Sequence, residues 1–129
     1  MGTGSCHCGA VKYAFVKPIR AVIVCHCIQC RKQTGSVMHA TAVDNDRFQI
    51  TKDRGLKWYR ASQSAARGFC GECGSTLFWK PDKGNHTSFT AGSIDGATGL
   101  LVEGHIYCDY KGDYYDIPQE GYQRREWES

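Results

Sequence analysis

Seven of the eight cysteines in this 129-residue chain fall into three tight groups: Cys6-His7-Cys8, Cys25-His26-Cys27-Ile28-Gln29-Cys30 and Cys70-Gly71-Glu72-Cys73. Thiolates spaced C-x-C and C-x-x-C can converge on one soft or borderline cation, and zinc takes four such ligands in a tetrahedron at about 2.3 Å. Gly71 and Gly74 give the last group the backbone freedom of a zinc knuckle. Disulfides fit poorly, because clustered cysteines pair awkwardly and a reducing compartment disfavours them. Seven ligands do not make two closed sets. Two pairs form one closed four-sulfur site, which is the structural kind, and three sulfurs remain, which leaves a position for water or substrate. Spacing alone does not settle which pairs join. The economical division puts Cys6, Cys8, Cys70 and Cys73 on one ion, and Cys25, Cys27 and Cys30 on a second ion with an open face.

A zinc held by three thiolates is a weak Lewis acid but a good partner for a thiol, which loses its proton on coordination. Arg31, Lys32, Gln33 and Thr34 directly follow the third ligand and are candidate anchors for the carboxylates of a thiol cosubstrate. The plainer reading is a solvated face of a short helix. His7 and His26 sit between ligands, where an extended backbone turns the middle side chain away from the metal, so each is a supporting or acid–base group rather than a ligand. Cys108 ends an apolar run and reads as a buried inert thiol. Ser36 reads as a turn hydroxyl, and Trp58, Phe69, Phe78 and Trp79 as core before pocket wall.

The elements that must hold these groups are mostly β. Val11, Tyr13 and Phe15 alternate with Ala10, Lys12 and Ala14, and Val22-Ile23-Val24 runs directly into the middle cysteines. Met38 to Val43 and Arg47 to Thr51 are strand-like around the turn Asp44-Asn45-Asp46. Leu56 to Arg60 and Ala65 to Phe69 form a hairpin, and Thr76 to Trp79, Thr87 to Thr90 and Leu100 to Cys108 supply further strands. Only Ile28 to Thr34 is helical, ending at Gly35. The expectation is one domain over residues 1–129, with a polar and aromatic tail over 110–129.

Composition narrows the function classes. The mean hydropathy of −0.46 and the lack of an 18-residue apolar run exclude a membrane-spanning helix. No secretory apolar segment precedes Cys6, and the myristoylation pattern fails at position 6, so a cytoplasmic protein is expected. The formal charge is +3, but seven thiolates on two zinc ions would cancel about three charges, and the basic residues are scattered. A nucleic-acid partner is therefore not expected.

Three ordered motifs carry a resemblance: Gly-Ser-Cys-His-Cys-Gly-Ala-Val from Gly4, Cys-His-Cys-x-x-Cys-Arg-Lys-x-Thr-Gly-Ser from Cys25, and Phe-Cys-Gly-x-Cys-Gly-Ser from Phe69. The chain resembles the glutathione-dependent formaldehyde-activating enzyme family, which includes the centromere protein V relatives. The likeness runs from about Gly4 to Trp79 and continues more weakly through Ala91–Asp95 and His105-Ile106-Tyr107. It implies a β-tent-like, zinc-stabilised fold of short antiparallel strands with one short helix. It also implies a structural zinc on Cys6, Cys8, Cys70 and Cys73 and a catalytic zinc on Cys25, Cys27 and Cys30. The implied activity is carbon–sulfur lyase chemistry on a thiol–aldehyde adduct, such as reversible formation of S-(hydroxymethyl)glutathione from formaldehyde and glutathione. A non-catalytic, zinc-stabilised protein-binding module is the competing reading.

Overall fold

Alternating and β-branched segments become eleven short strands in the computed structural model, which describes residues 1–127 of the 129. In chain order these are β1 (Gly2–Ser5), β2 (Lys12–Phe15), β3 (Val22–Cys25), β4 (Met38–Asp44), β5 (Phe48–Lys52), β6 (Leu56–Arg60), β7 (Ala65–Cys70), β8 (Thr76–Pro81), β9 (His86–Thr90), β10 (Val102–Ile106) and β11 (Tyr122–Gln123). The helix α1 (Ile28–Thr34) lies between β3 and β4, and three single-turn 3-10 segments fill connections. Strand accounts for 43% of the described residues and helical turns for 13%, so the mostly-β expectation holds. The chain divides into two compact units, each discontinuous in sequence.

The first unit comprises Met1–Arg20 and Thr41–Thr98. One sheet is β1-β2-β5, antiparallel throughout. The other runs from the end of β4 through β9, β8 and β7 to β6, with the hairpin register Leu56↔Cys70 to Arg60↔Ala66. Period-2 alternation turns Tyr13 and Phe15 inward against Phe78 and Phe89. The Tyr13 ring meets Phe89 at 5.1 Å and Phe78 at 5.4 Å in edge-on geometry, contacts that contribute about 0.5–1.5 kcal/mol each beyond burial. Cys6 and Cys70 belong to this same core. Phe78 is buried as expected, whereas Trp58 on the outer strand β6 is 44% exposed.

The second unit comprises Ala21–Ala40 and the segment from Gly99 onward. Here β3 pairs antiparallel with the start of β4 and parallel with β10, and β10 pairs parallel with β11. Val22, Ile23 and Val24 are all buried, so both faces of β3 are covered, which accounts for their uninterrupted apolar run. The apolar stretch expected to extend to Cys108 stops being strand after Ile106, because Tyr107 turns into the left-handed region with φ 56°. The tail packs. At Gly104 a Cβ would lie 2.5 Å from the Tyr122 ring, so only glycine lets β11 come this close.

Candidate metal centres

The first cluster lies within the first unit. Cys6 and Cys8 sit on the turn that leaves β1, and Cys70 and Cys73 on the turn that leaves β7. The first turn is closed by Gly9 N–H donating to the Cys6 carbonyl, the second by Gly74 N–H donating to the Cys70 carbonyl. Gly74 adopts φ 82°, the conformation a knuckle needs. Gly71 does not; a Cβ there would instead press on the Lys57 side chain. The four sulfurs lie within 4.8 Å of one another. Cys8 Sγ is 3.8 Å from both Cys6 Sγ and Cys70 Sγ. A tetrahedron with 2.3 Å metal–sulfur bonds has edges of about 3.8 Å, so this donor set fits such an ion.

Backbone donors aim at these sulfurs. Val11 N–H donates to Cys6 Sγ at 3.2 Å and Cys73 N–H to Cys70 Sγ at 3.5 Å. Burial pushes the Cys6 thiol up, but the Val11 N–H and the neighbouring thiols outweigh it and leave it lowered. The Ser75 hydroxyl and backbone hold Cys73 down to about 5. At Cys8 the Ala10 backbone pulls down, yet burial and the competing sulfurs push the thiol up to about 11. Crowded sulfurs cannot all ionise without a cation among them, and a bound cation removes that conflict.

The second cluster lies within the second unit and is more local. Cys25 ends β3, Cys27 caps α1, and Cys30 lies in its first turn, with the three sulfurs within 4.8 Å of one another. Cys27 is extended (φ −67°, ψ 162°), and its sulfur accepts from Cys30 N–H at 3.2 Å, so one residue serves both as helix cap and as candidate ligand. Gly35 (φ 85°) terminates the helix and donates to the Arg31 carbonyl. The Cys27 and Cys30 thiols, with burial, drive the Cys25 thiol upward, because closely spaced sulfurs oppose one another's ionisation. Cys108 is half-buried in the 3-10 turn after β10 and is outside this set.

Around this cluster, the Arg31 guanidinium donates to the Tyr110 carbonyl at 3.3 Å. The Thr34 hydroxyl donates to the Cys30 carbonyl at 2.8 Å, which ties it to the helix. Lys32 and Gln33 are exposed, Ser36 is half-buried, and His7 is exposed on its turn. His26 is 2% exposed, with Nδ1 2.8 Å from the Tyr115 hydroxyl and Nε2 2.9 Å from His105 Nδ1. Burial first, then the charges of His105, His39 and Lys111, lower it to about 4, so it is neutral at physiological pH.

Three residues near this cluster lie outside the sequence-derived candidate set. Tyr107 follows Ile106, which pairs with Cys25, and its strained backbone brings the phenol into electrostatic reach of Cys25 and Cys27. Burial, then the negative charge of those sulfurs, raises its pKa and keeps it protonated. His105 and Tyr115 approach from β10 and the tail. No local pattern marks them, because their contacts span 79 and 89 residues.

Comparison with known proteins gives concordant results. Residues 1–110 match the family model described as glutathione-dependent formaldehyde-activating enzyme. A Schizosaccharomyces pombe protein named an uncharacterized lyase is 26% identical over 115 residues, covering 88% of this chain and 83% of that protein. A crystal structure of a Rhodobacter sphaeroides protein shares the fold at a TM-score of 0.60 and 20% identity, over 80% of this chain and 98% of that one.

Proposed function

Because the chain belongs to the glutathione-dependent formaldehyde-activating enzyme family, we propose that it is a zinc-dependent carbon–sulfur lyase acting on a thiol–aldehyde adduct such as S-(hydroxymethyl)glutathione. The observation that carries this reading is the unequal pair of clusters, one of four sulfurs and one of three. In this reading Cys6, Cys8, Cys70 and Cys73 hold a structural zinc, and Cys25, Cys27 and Cys30 hold a catalytic zinc with a position left for substrate. The lyase name of the fission yeast relative supports the reaction class.

Zinc bound by three thiolates would supply stabilisation of a substrate sulfur as thiolate at neutral pH. The chain's own residues do the rest. Arg31 and Lys32 offer cations for the carboxylates of a thiol cosubstrate, beside Gln33 and Thr34 on the same short helix. In the synthetic direction the thiol gives up its proton to solvent, its sulfur bonds to the carbonyl carbon, and the carbonyl π pair moves to oxygen. That oxygen takes a proton from a donor that solvent then reprotonates. The protonated Tyr107 phenol would be that donor. The reverse direction breaks the same carbon–sulfur bond and returns aldehyde and thiol. The test is formaldehyde consumption in the presence of glutathione. It should require the thiol and disappear in Cys27→Ser while the circular dichroism spectrum stays unchanged. Consumption that persists at the wild-type rate in Cys27→Ser would remove the assignment and favour the binding-module reading.

A further inference from the structure

The tail of the second unit ends in contacts that a mere surface segment does not need. Tyr115 lies five residues beyond the span matched by the family model, yet its hydroxyl meets the buried imidazole between Cys25 and Cys27. Its ring also stacks on that imidazole, with centroids 5.5 Å apart and planes at 23°. Lys111 fixes the tyrosine in turn, donating to the Tyr115 carbonyl at 2.7 Å with its ammonium 5.3 Å from the ring centroid.

The hydrogen bonds have a direction. Gly112 N–H is an obligate donor to the Tyr115 hydroxyl oxygen at 3.3 Å. That contact takes up acceptor capacity of the hydroxyl and favours the phenol proton pointing to His26 Nδ1, 2.8 Å away. With Nδ1 accepting, His26 carries its proton on Nε2 and donates it to His105 Nδ1 at 2.9 Å. The chain of donors thus starts in the tail and ends on β10, passing through the residue flanked by two candidate ligands. His26 is also held by its backbone, since its N–H donates to the Ile106 carbonyl.

We infer that Tyr115 is a positioning residue for the three-cysteine cluster: by locking the tautomer and orientation of His26, the tail holds the Cys25–Cys27 backbone in the geometry that brings both sulfurs to one cation. The inference rests on the reading of this cluster as a metal site. Tyr115→Phe removes only the hydroxyl and leaves the stacked ring, so it isolates the hydrogen bond from the packing.

The test uses the full-length, zinc-loaded protein and a chromophoric chelator. The wild type should release zinc in two phases, and Tyr115→Phe should speed the faster one roughly tenfold, the consequence of a buried acceptor losing its donor. The slower phase should not move, and the melting temperature should fall by only a few degrees. Equal acceleration of both phases would mean general destabilisation and overturn the inference, as would no change in either. A single bound zinc in the wild type would overturn the metal-site reading itself, a different outcome from two phases that the variant leaves alone. The imidazole nitrogen resonances of the wild type add a check that needs no variant. A His26 proton on Nε2 supports the chain, and one on Nδ1 refutes it.

Discussion

Replacing Cys70 by serine tests whether the four-cysteine cluster holds the first unit together. Cys70 is fully buried, ends β7, and stands 3.8 Å from Cys8 across 62 residues of sequence. A structural zinc contributes about 10–16 kcal/mol of apparent binding free energy in small domains, or about 2.5–4 kcal/mol for each of four sulfurs. The substituted hydroxyl also sits where Cys73 N–H donates to sulfur at 3.5 Å, and its shorter bond leaves that donor poorly met, at a cost of about 1 kcal/mol. The total, about 3.5–5 kcal/mol, is a large share of the roughly 5–15 kcal/mol that holds an ordinary domain folded. For a chain of 129 residues it corresponds to a fall of roughly 15–20 °C in melting temperature. The assay is thermal unfolding at saturating zinc, followed by circular dichroism, with metal content measured on the same samples. A Cys70→Ser protein that melts with the wild type and keeps all its metal would refute the assignment.

Gly4→Ala should destabilise the first unit by about 2–3 kcal/mol, because its Cβ would meet the buried Tyr13 ring at 2.0 Å and push β1 from β2. Urea unfolding checks this, and an unchanged midpoint would mean that the Tyr13 ring is free to move. At the surface, the Arg60 side chain lowers the pKa of Asp82 through a two-pronged ion pair. A lowered carboxyl pKa contributes stability above the unfolded-state value, lost as pH falls through the folded-state value. Wild type should therefore slightly exceed Asp82→Asn at pH 7 and match it near pH 2, and a constant difference would show that the pair is not the cause.

Much of the local structure was legible because its signals are local. The cysteine groups, the Cys27-to-Gly35 helix and the β6–β7 hairpin each lie within a few residues, where spacing and turn chemistry act directly. Strand β1 was not legible, because Gly2–Ser5 has no apolar residue and depends on β2 and on Asp95, which accepts from the Thr3 and Ser5 hydroxyls. The parallel pairing of β3 with β10 and the left-handed Tyr107 are set by tertiary structure, which periodicity does not encode. The imidazole chain from Tyr115 to His105 was hidden for the same reason. The sequence marks His26 as a supporting or acid–base group between two cysteines, and only its distant partners show what it is joined to.

The two clusters differ in what they can do for the chain, and the difference is topological. The first joins segments more than 60 residues apart, whereas the second is contained within residues 25–30. Closing the longer loop removes about 2 kcal/mol more conformational entropy from the unfolded chain, so a metal in the first cluster acts as a cross-link. The second closes a loop that β3 and α1 already define, and adds little of that kind. Long-range ties in the second unit come instead from β10 and β11 and from the His26–His105–Tyr115 chain, none of which needs a cation. A metal held there can therefore change ligands without unravelling its surroundings. That freedom is what an exchangeable substrate position requires, and a cross-linking metal cannot have it.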